Sequence, residues 1–299
     1  MTHSHSNGLE YIGSESFSHC SWLTNITIPG TGSTKIDYFA FFYSHGLNNV
    51  IIEEGVIEIG HDCFAQTGVK TLKLPNSIQR IDYSAFEQCY QLISIEFGNS
   101  NSNDHEIVIG SSLFYLCSSL NSIAFPYGLT YLNNGCLRSC KSLKSVTLPE
   151  TITGLGNNAF EGCSQLTSIT LPSSLQNIND NVFNSCTNLK CVIFRGSNSY
   201  PFYGSDLIGA TIYVNSDYEH EEFRGGTIVK LKTGQEVTES DGQCVLSPDT
   251  ENPDQQSENP DQQSENPDQQ PENPDQQSEN PNQQPENPDQ QPENPDQQP

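Results

Sequence analysis

Basic residues are scarce in this sequence: 12 Lys and Arg face 37 Asp and Glu among 299 residues. A formal charge of −25 argues against nucleic acid or anionic lipid as a partner, since both are held by positive charge. Long apolar runs are missing too, and nothing approaches the ~18–20 residues of a membrane span. The start, Met1-Thr2-His3-Ser4-His5-Ser6, lacks the apolar core of a secretory leader. That leaves export by another route, cytosolic residence, or a true start upstream. Catalytic signatures are equally absent, with no Gly-x-Ser-x-Gly elbow and no phosphate loop. His220-Glu221-Glu222-Phe223-Arg224 has no second His at the spacing a zinc helix needs. No catalytic, cofactor-binding or metal site is expected.

Only 33% of residues are apolar, with one Trp and one Met. The dilution has a local source. From Glu251 the chain is seven tandem heptads of Glu-Asn-Pro-Asp-Gln-Gln-Ser/Pro type, with 13 acidic residues, no basic residue and no hydrophobe. A seven-residue period without an apolar seam cannot make a coiled coil. Charge, proline and the lack of hydrophobes predict disorder over 251–299. The remaining residues carry −12 of the charge and an ordinary apolar content.

What is present is a beat. Phe, or once Leu, stands at 17, 41, 64, 86, 114, 137, 160 and 183, at intervals of 24, 23, 22, 28, 23, 23 and 23. A period of this size means a stacked-repeat solenoid, in which each unit buries its apolar face against its neighbours. One unit reads Leu166-x-x-Ile169-x-Leu171-Pro172-x-x-Leu175-x-x-Ile178-x-x-x-Val182-Phe183-x-x-Cys186. Ile169 and Leu171, two apart, share one face of a short strand, and Pro172 ends it because it cannot donate to a ladder. About eight ~23-residue units would stack into a rod of α/β type dominated by short parallel strands. The second half of each unit turns the chain back and buries a small residue, Phe and Cys.

This pattern resembles the leucine-rich repeats of the BspA-like, or Treponema-type, class over residues 8–194. The resemblance implies a non-catalytic surface antigen or adhesin that binds a protein or glycan on host or microbial surfaces. It implies no shared binding residues. The alternative is an intracellular leucine-rich scaffold for protein–protein interaction, which the missing leader and many thiols favour. Localisation is accordingly expected at the cell surface, or in the cytoplasm under that alternative. The expected organisation is a flexible terminus at 1–7, the solenoid at 8–194, a cap at 195–232, a linker at 233–250 and the tail at 251–299.

Stacked Phe17, Phe41, Phe64, Phe86, Phe114, Phe160 and Phe183 should make a continuous aromatic spine. Cys20, Cys89, Cys117, Cys140, Cys163 and Cys186 share a column with Ser44 and Thr67, so the position asks for a small, weakly polar filler. Cys63 and Cys136 fall in a neighbouring small-residue column. Buried free thiols are the expected reading, while coils ~4.8 Å apart leave disulfides open on distance. Cys191, outward on a strand, and Cys244, in the linker, are the expected reactive thiols.

The outward strand positions supply the candidate binding surface: Asn25, Asn49, Thr71, Lys73, Ser94, Glu96, Ser122, Ser145, Thr147, Ser168 and Thr170. Most are small and hydroxylated. They suit a flat polar ledge for an extended peptide or glycan, and equally an ordinarily solvated sheet. Phe39, Phe42 and Tyr43 lie off the repeat pattern and form a candidate aromatic patch, either exposed for contact or buried by an irregular coil. The interval of 28 comes from an Asn-rich insertion, Gly98 to Glu106. It fails as a calcium loop because Asp104 stands where glycine is needed and Gly110 where the bidentate Glu belongs. Asn25-Ile26-Thr27 is the single glycosylation sequon.

Overall fold

The computed structural model describes residues 8–98, 107–197, 202–240 and 243–247. The terminus 1–7, the heptad tail 251–299 and residues 99–106 of the insertion lie outside the described residues.

Each repeat forms two strands rather than one. The first coils contribute β1 (Tyr11–Ile12), β2 (Asn25–Ile28), β3 (Thr34–Ile36), β4 (Asn49–Ile52), β5 (Val56–Ile59) and β6 (Thr71–Lys73). The middle of the rod adds β7 (Arg80–Ile81), β8 (Ser94–Glu96), β9 (Val108–Ile109), β10 (Ser122–Ala124), β11 (Tyr131–Leu132) and β12 (Ser145–Thr147). Then follow β13 (Gly154–Leu155), β14 (Ser168–Leu171), β15 (Asn177–Ile178) and β16 (Cys191–Phe194). The even-numbered strands β2 to β12 make one parallel sheet, and the short odd-numbered strands make two more along a second side. Register follows the sequence period: Asn25, Asn49 and Thr71 are successive partners, as are Ser94, Ser122 and Ser145. The inward residues between them, Ile26, Val50, Leu72, Ile95, Ile123 and Val146, pack on or into the core.

The Phe-bearing arcs contain no helix among the described residues. Their geometry is a repeated device. Two residues four apart take a left-handed backbone in every coil: Glu15 and His19, Phe39 and Tyr43, Asp62 and Gln66, Ser84 and Gln88, and so on to Asn181 and Ser185, with Gly135 and Gly162 filling two of the places. Between them, Ser18 N–H closes back on Glu15 O and Cys20 N–H on Phe17 O. The alternate amides point along the rod instead. Glu15, Phe17 and His19 donate to Tyr38 O, Ala40 O and Phe42 O of the next coil, and the same triplet recurs as far as Asn158, Phe160 and Gly162. Turn-closing bonds are thus interleaved with inter-coil bonds, which is why no i→i−4 ladder can form. The stack is polar, because all these amides face the carboxyl end.

The aromatic spine is present but interrupted. Phe17, Phe41, Phe64, Phe86 and Phe114 stack with centroids 5.0–5.7 Å apart and planes within 11°. Leu137 breaks the run, so Phe160 and Phe183 form a separate pair at 5.6 Å. The expectation of continuity overlooked that an aliphatic side chain fills the space without offering a ring face.

Beyond the eight coils, β17 (Thr211–Val214) and β18 (Thr227–Lys230) extend the sheet as β14-β16-β17-β18, all parallel. Phe194, Phe202, Tyr218 and Phe223 gather edge-on and tilted over the end of the core. The last coil's amide is closed by a side chain: Phe183 N–H donates to Asp206 Oδ2 at 2.9 Å. Asp206 Oδ1 takes the Nε–H of Arg224 at 2.5 Å, and Arg224 Nη1 reaches Ile178 O and Tyr203 O. Where a linker was expected, β19 (Val237–Ser240) and β20 (Gln243–Leu246) form an antiparallel hairpin.

Candidate binding surface

The thiol column has a defined task. Cys89, Cys117, Cys140, Cys163 and Cys186 each direct Sγ to the backbone oxygen of the spine residue one coil earlier, at 3.1–3.2 Å. Ser44 makes the same bond to Phe17 O at 2.7 Å. Small size and one weak donor are what the column selects, so the thiols are structural. Burial pushes the Cys63, Cys117, Cys136, Cys140 and Cys163 thiols up from their ordinary pKa, since a thiolate there would lose its solvation. Among the described residues no three His, Cys, Asp or Glu come together to hold a metal ion.

The assignment of Cys191 and Cys244 as reactive thiols is corrected: they form a disulfide. Cys191 is outward on β16, as its register implies, yet buried, because the hairpin β19–β20 lies over that strand.

The outward columns diverge along the rod. Asn25, Asn49, Thr71, Lys73, Glu96, Ser122, Ser145 and Thr147 are exposed, and Ser94 is half-buried. Ser168 is buried and Thr170 half-buried, so the open ledge ends near β12. Ser168 does not belong to an accessible surface. At its middle the ledge is concave. Lys73 and Glu96 are register partners on β6 and β8, with Ala124 on the next strand. Beyond their carboxyl ends lies a trough of about 520 Å³, lined by Ile95, Phe97, Phe125 and Tyr127 as well as by Lys73 and Glu96. Its floor is aromatic: Phe97 and Phe125 meet at 6.0 Å, tilted by 37°. Its rim carries one cation, a carboxylate and the half-exposed Tyr127. Glu54 also borders the trough, but its carboxylate already accepts the amides of Asn76 and Ser77. Lys73 and Glu96 were visible as outward residues; the trough was not, because it needs Tyr127, at a position the pattern leaves unassigned, and Phe97 and Phe125, which stand where Leu or Ile ends the strand in most other coils.

The aromatic patch is larger than its three anticipated residues. Phe39 and Phe42 are half-buried against each other at 5.1 Å, edge to face, and Tyr43 is 40% exposed. His61 lies stacked between Tyr38 and Tyr83 at 5.1 and 4.7 Å. His19 and His45 flank Tyr43 at 5.0 and 4.2 Å. Phe39 and Tyr43 occupy the two left-handed positions of their coil, with φ of 53° and 60°. Bulky residues are rare in that region of the backbone, where Asn, Asp and Gly are favoured. The same first position holds Asp62, Gly135, Asn158 and Asn181 in other coils. The patch and the ledge belong to different parts of the coil, the arc and the long strand.

Comparison with known proteins agrees with this geometry. A family model described as BspA type Leucine rich repeat region matches residues 3–106 and 107–218, in six copies. A leucine-rich repeat protein from Bacteroides ovatus has a similar solved structure, with a TM-score of 0.62 and 26% identity over 75% of this chain. The chain spans 58% of that protein's length. A leucine rich cell surface protein from Faecalibacterium prausnitzii shares the fold, with a TM-score of 0.52 and 20% identity over 76% of this chain and 69% of that one. No curated protein matches.

Proposed function

Because the chain belongs to the BspA-type leucine-rich repeat family, we propose that it is a non-catalytic binding protein displayed outside the cell. Its ledge would hold a protein or glycan of a host or microbial surface. The observation that carries this reading is the trough at the middle of the ledge, where Lys73, Glu96 and Tyr127 rim an aromatic floor. A flat row of Ser, Thr and Asn offers hydrogen bonds at ~4.8 Å intervals but little burial. One concave, partly apolar point supplies the anchor such a surface needs. Binding would then combine one anchored group with shallow contacts along the exposed rungs.

The disulfide Cys191–Cys244 supports the location, since such bonds persist in oxidising compartments. Eight free cysteines favour the second reading, an intracellular scaffold. Their weight is small, because seven of the eight are buried and burial protects thiols from oxidants.

The test uses the fluorescently labelled full chain on host epithelial cells and on bacteria. Saturable binding that drops at least tenfold with Lys73→Glu or Tyr127→Ala supports the reading. Saturable binding that neither variant changes contradicts the trough as anchor.

A further inference from the structure

The outward columns of the ledge do not stop at β12. Ser168, Cys191, Thr211 and Thr227 continue one of them in register, and Thr170, Ile193, Tyr213 and Val229 continue the other. Their character changes, because Ile193 and Tyr213 replace Ser and Thr. Here the hairpin β19–β20 lies over the sheet. Cys191 and Ile193 are 3% exposed and join Leu231 and Val237 in a small cluster apart from the main core, with Tyr213 and Cys244 against it.

The hairpin is weakly attached. It buries Val237 and half of Cys244, while Glu239, Ser240, Gln243, Val245 and Leu246 stay exposed. A cavity of about 260 Å³, lined by Ile193, Leu231, Val237 and Thr238, remains between strap and sheet. The hydroxyl of Ser168, the rung beside Cys191, is buried and finds no hydrogen-bond partner among the described residues. Two-stranded ribbons are marginal by themselves. The covalent link across 53 residues is therefore what keeps this one in place.

We infer that β19–β20 is a thiol-released strap, closed when Cys191 and Cys244 are joined and open when they are reduced, and that it conceals an apolar extension of the ledge built on Ile193 and Tyr213. The reductant is a dithiol. One of its thiolates attacks Sγ of Cys244, the more exposed sulfur, and Cys191 leaves as a thiolate that takes a proton from water. The second thiolate then closes on the first, releasing Cys244. The dithiol loses two electrons to become a cyclic disulfide, and the protein gains two thiols. The eight cysteines of the coils take no part. This inference is independent of what the open ledge binds.

The experiment is hydrogen exchange, read by mass spectrometry on the full chain with and without dithiothreitol, alkylation confirming two new thiols. Protection of Val237–Leu246 should fall at least tenfold on reduction while β2 to β16 keep theirs. Cys244→Ser should reproduce this without reductant. Unchanged protection after confirmed reduction would overturn the strap. So would a loss spread through β14 to β18, which would make the bond a support of the whole cap. Two alkylatable thiols at 191 and 244 before any reduction, with the hairpin still protected, would overturn it as well.

Discussion

The backbone amide of Phe183 and the carboxylate of Asp206 meet at 2.9 Å, and that bond ends a one-way stack of amides running the length of the rod. In every earlier coil the equivalent amide finds a carbonyl of the next coil. The last one has no next coil, so the cap supplies an acceptor from a side chain. Arg224, 3% exposed, neutralises that carboxylate and satisfies two carbonyls besides. Asp206→Ala would leave a buried guanidinium without its partner and Phe183 N–H without an acceptor. The expected cost is about 3–5 kcal/mol of folding stability, read from urea denaturation. A loss below about 1 kcal/mol, the range of an exposed pair, would contradict the capping role.

Two phenylalanines two residues apart should behave differently. Phe41 is a fully buried spine ring, stacked on both sides, and Phe41→Ala should cost about 3–5 kcal/mol. Phe39 holds a left-handed backbone at a position where other coils carry Asn. Phe39→Asn relieves that conformation while losing partial burial, and should cost less than about 1 kcal/mol. Equal losses in the two variants would remove the distinction between spine and patch.

Phe160→Ala carries the same expected cost of about 3–5 kcal/mol, because Phe160 stacks on Phe183 and is fully buried. Its effect should spread to the neighbouring coils as faster amide exchange. An unchanged melting curve would contradict the spine.

The thiol column can be tested by exchange for its own natural variant. Cys163 donates to Leu137 O as Ser44 donates to Phe17 O. Cys163→Ser should therefore stay within about 1 kcal/mol of the parent. Cys163→Val loses the donor and overfills the site, and should cost about 1–3 kcal/mol more. The reverse order would show that volume alone governs the column.

Burial of these thiols also sets an alkaline limit. The thiols of Cys63, Cys117, Cys136 and Cys163 have a pKa raised in the folded protein, by burial first, whereas that of Cys89 is lowered. Below the unfolded value of about 8.5 both states hold the proton, and the full contribution to stability is present. Above it the unfolded chain releases protons that the folded chain keeps, so stability falls as pH rises, by up to ~1.4 kcal/mol per pH unit for each thiol. Urea midpoints should decline between about pH 8.5 and 9.5, and Cys136→Ala should make the decline shallower. Midpoints flat across that window would contradict buried, protonated thiols.

Much of the rod was legible because it repeats. Strand starts, the prolines that end them, the Phe column and the Cys column all recur at one spacing, and any single exception is outvoted. The left-handed pairs escaped because the residues holding them vary from Glu15 and Phe39 to Leu116 and Gly162; the backbone is conserved from coil to coil while the side chains are not. Asp206 and Arg224 escaped because they stand outside the beat and 18 residues apart. The pairing of Cys191 with Cys244 escaped for a related reason. A linker-like segment had to fold as a hairpin before the outward face of β16 could be covered.

The most direct test of a displayed binding protein is its place on the cell. Intact and permeabilised cells are stained with an antibody raised against residues 251–299, whose heptads make a repeated epitope. Signal on intact cells is the expected result. Signal only after permeabilisation would contradict display outside the cell and leave the intracellular scaffold as the reading to pursue.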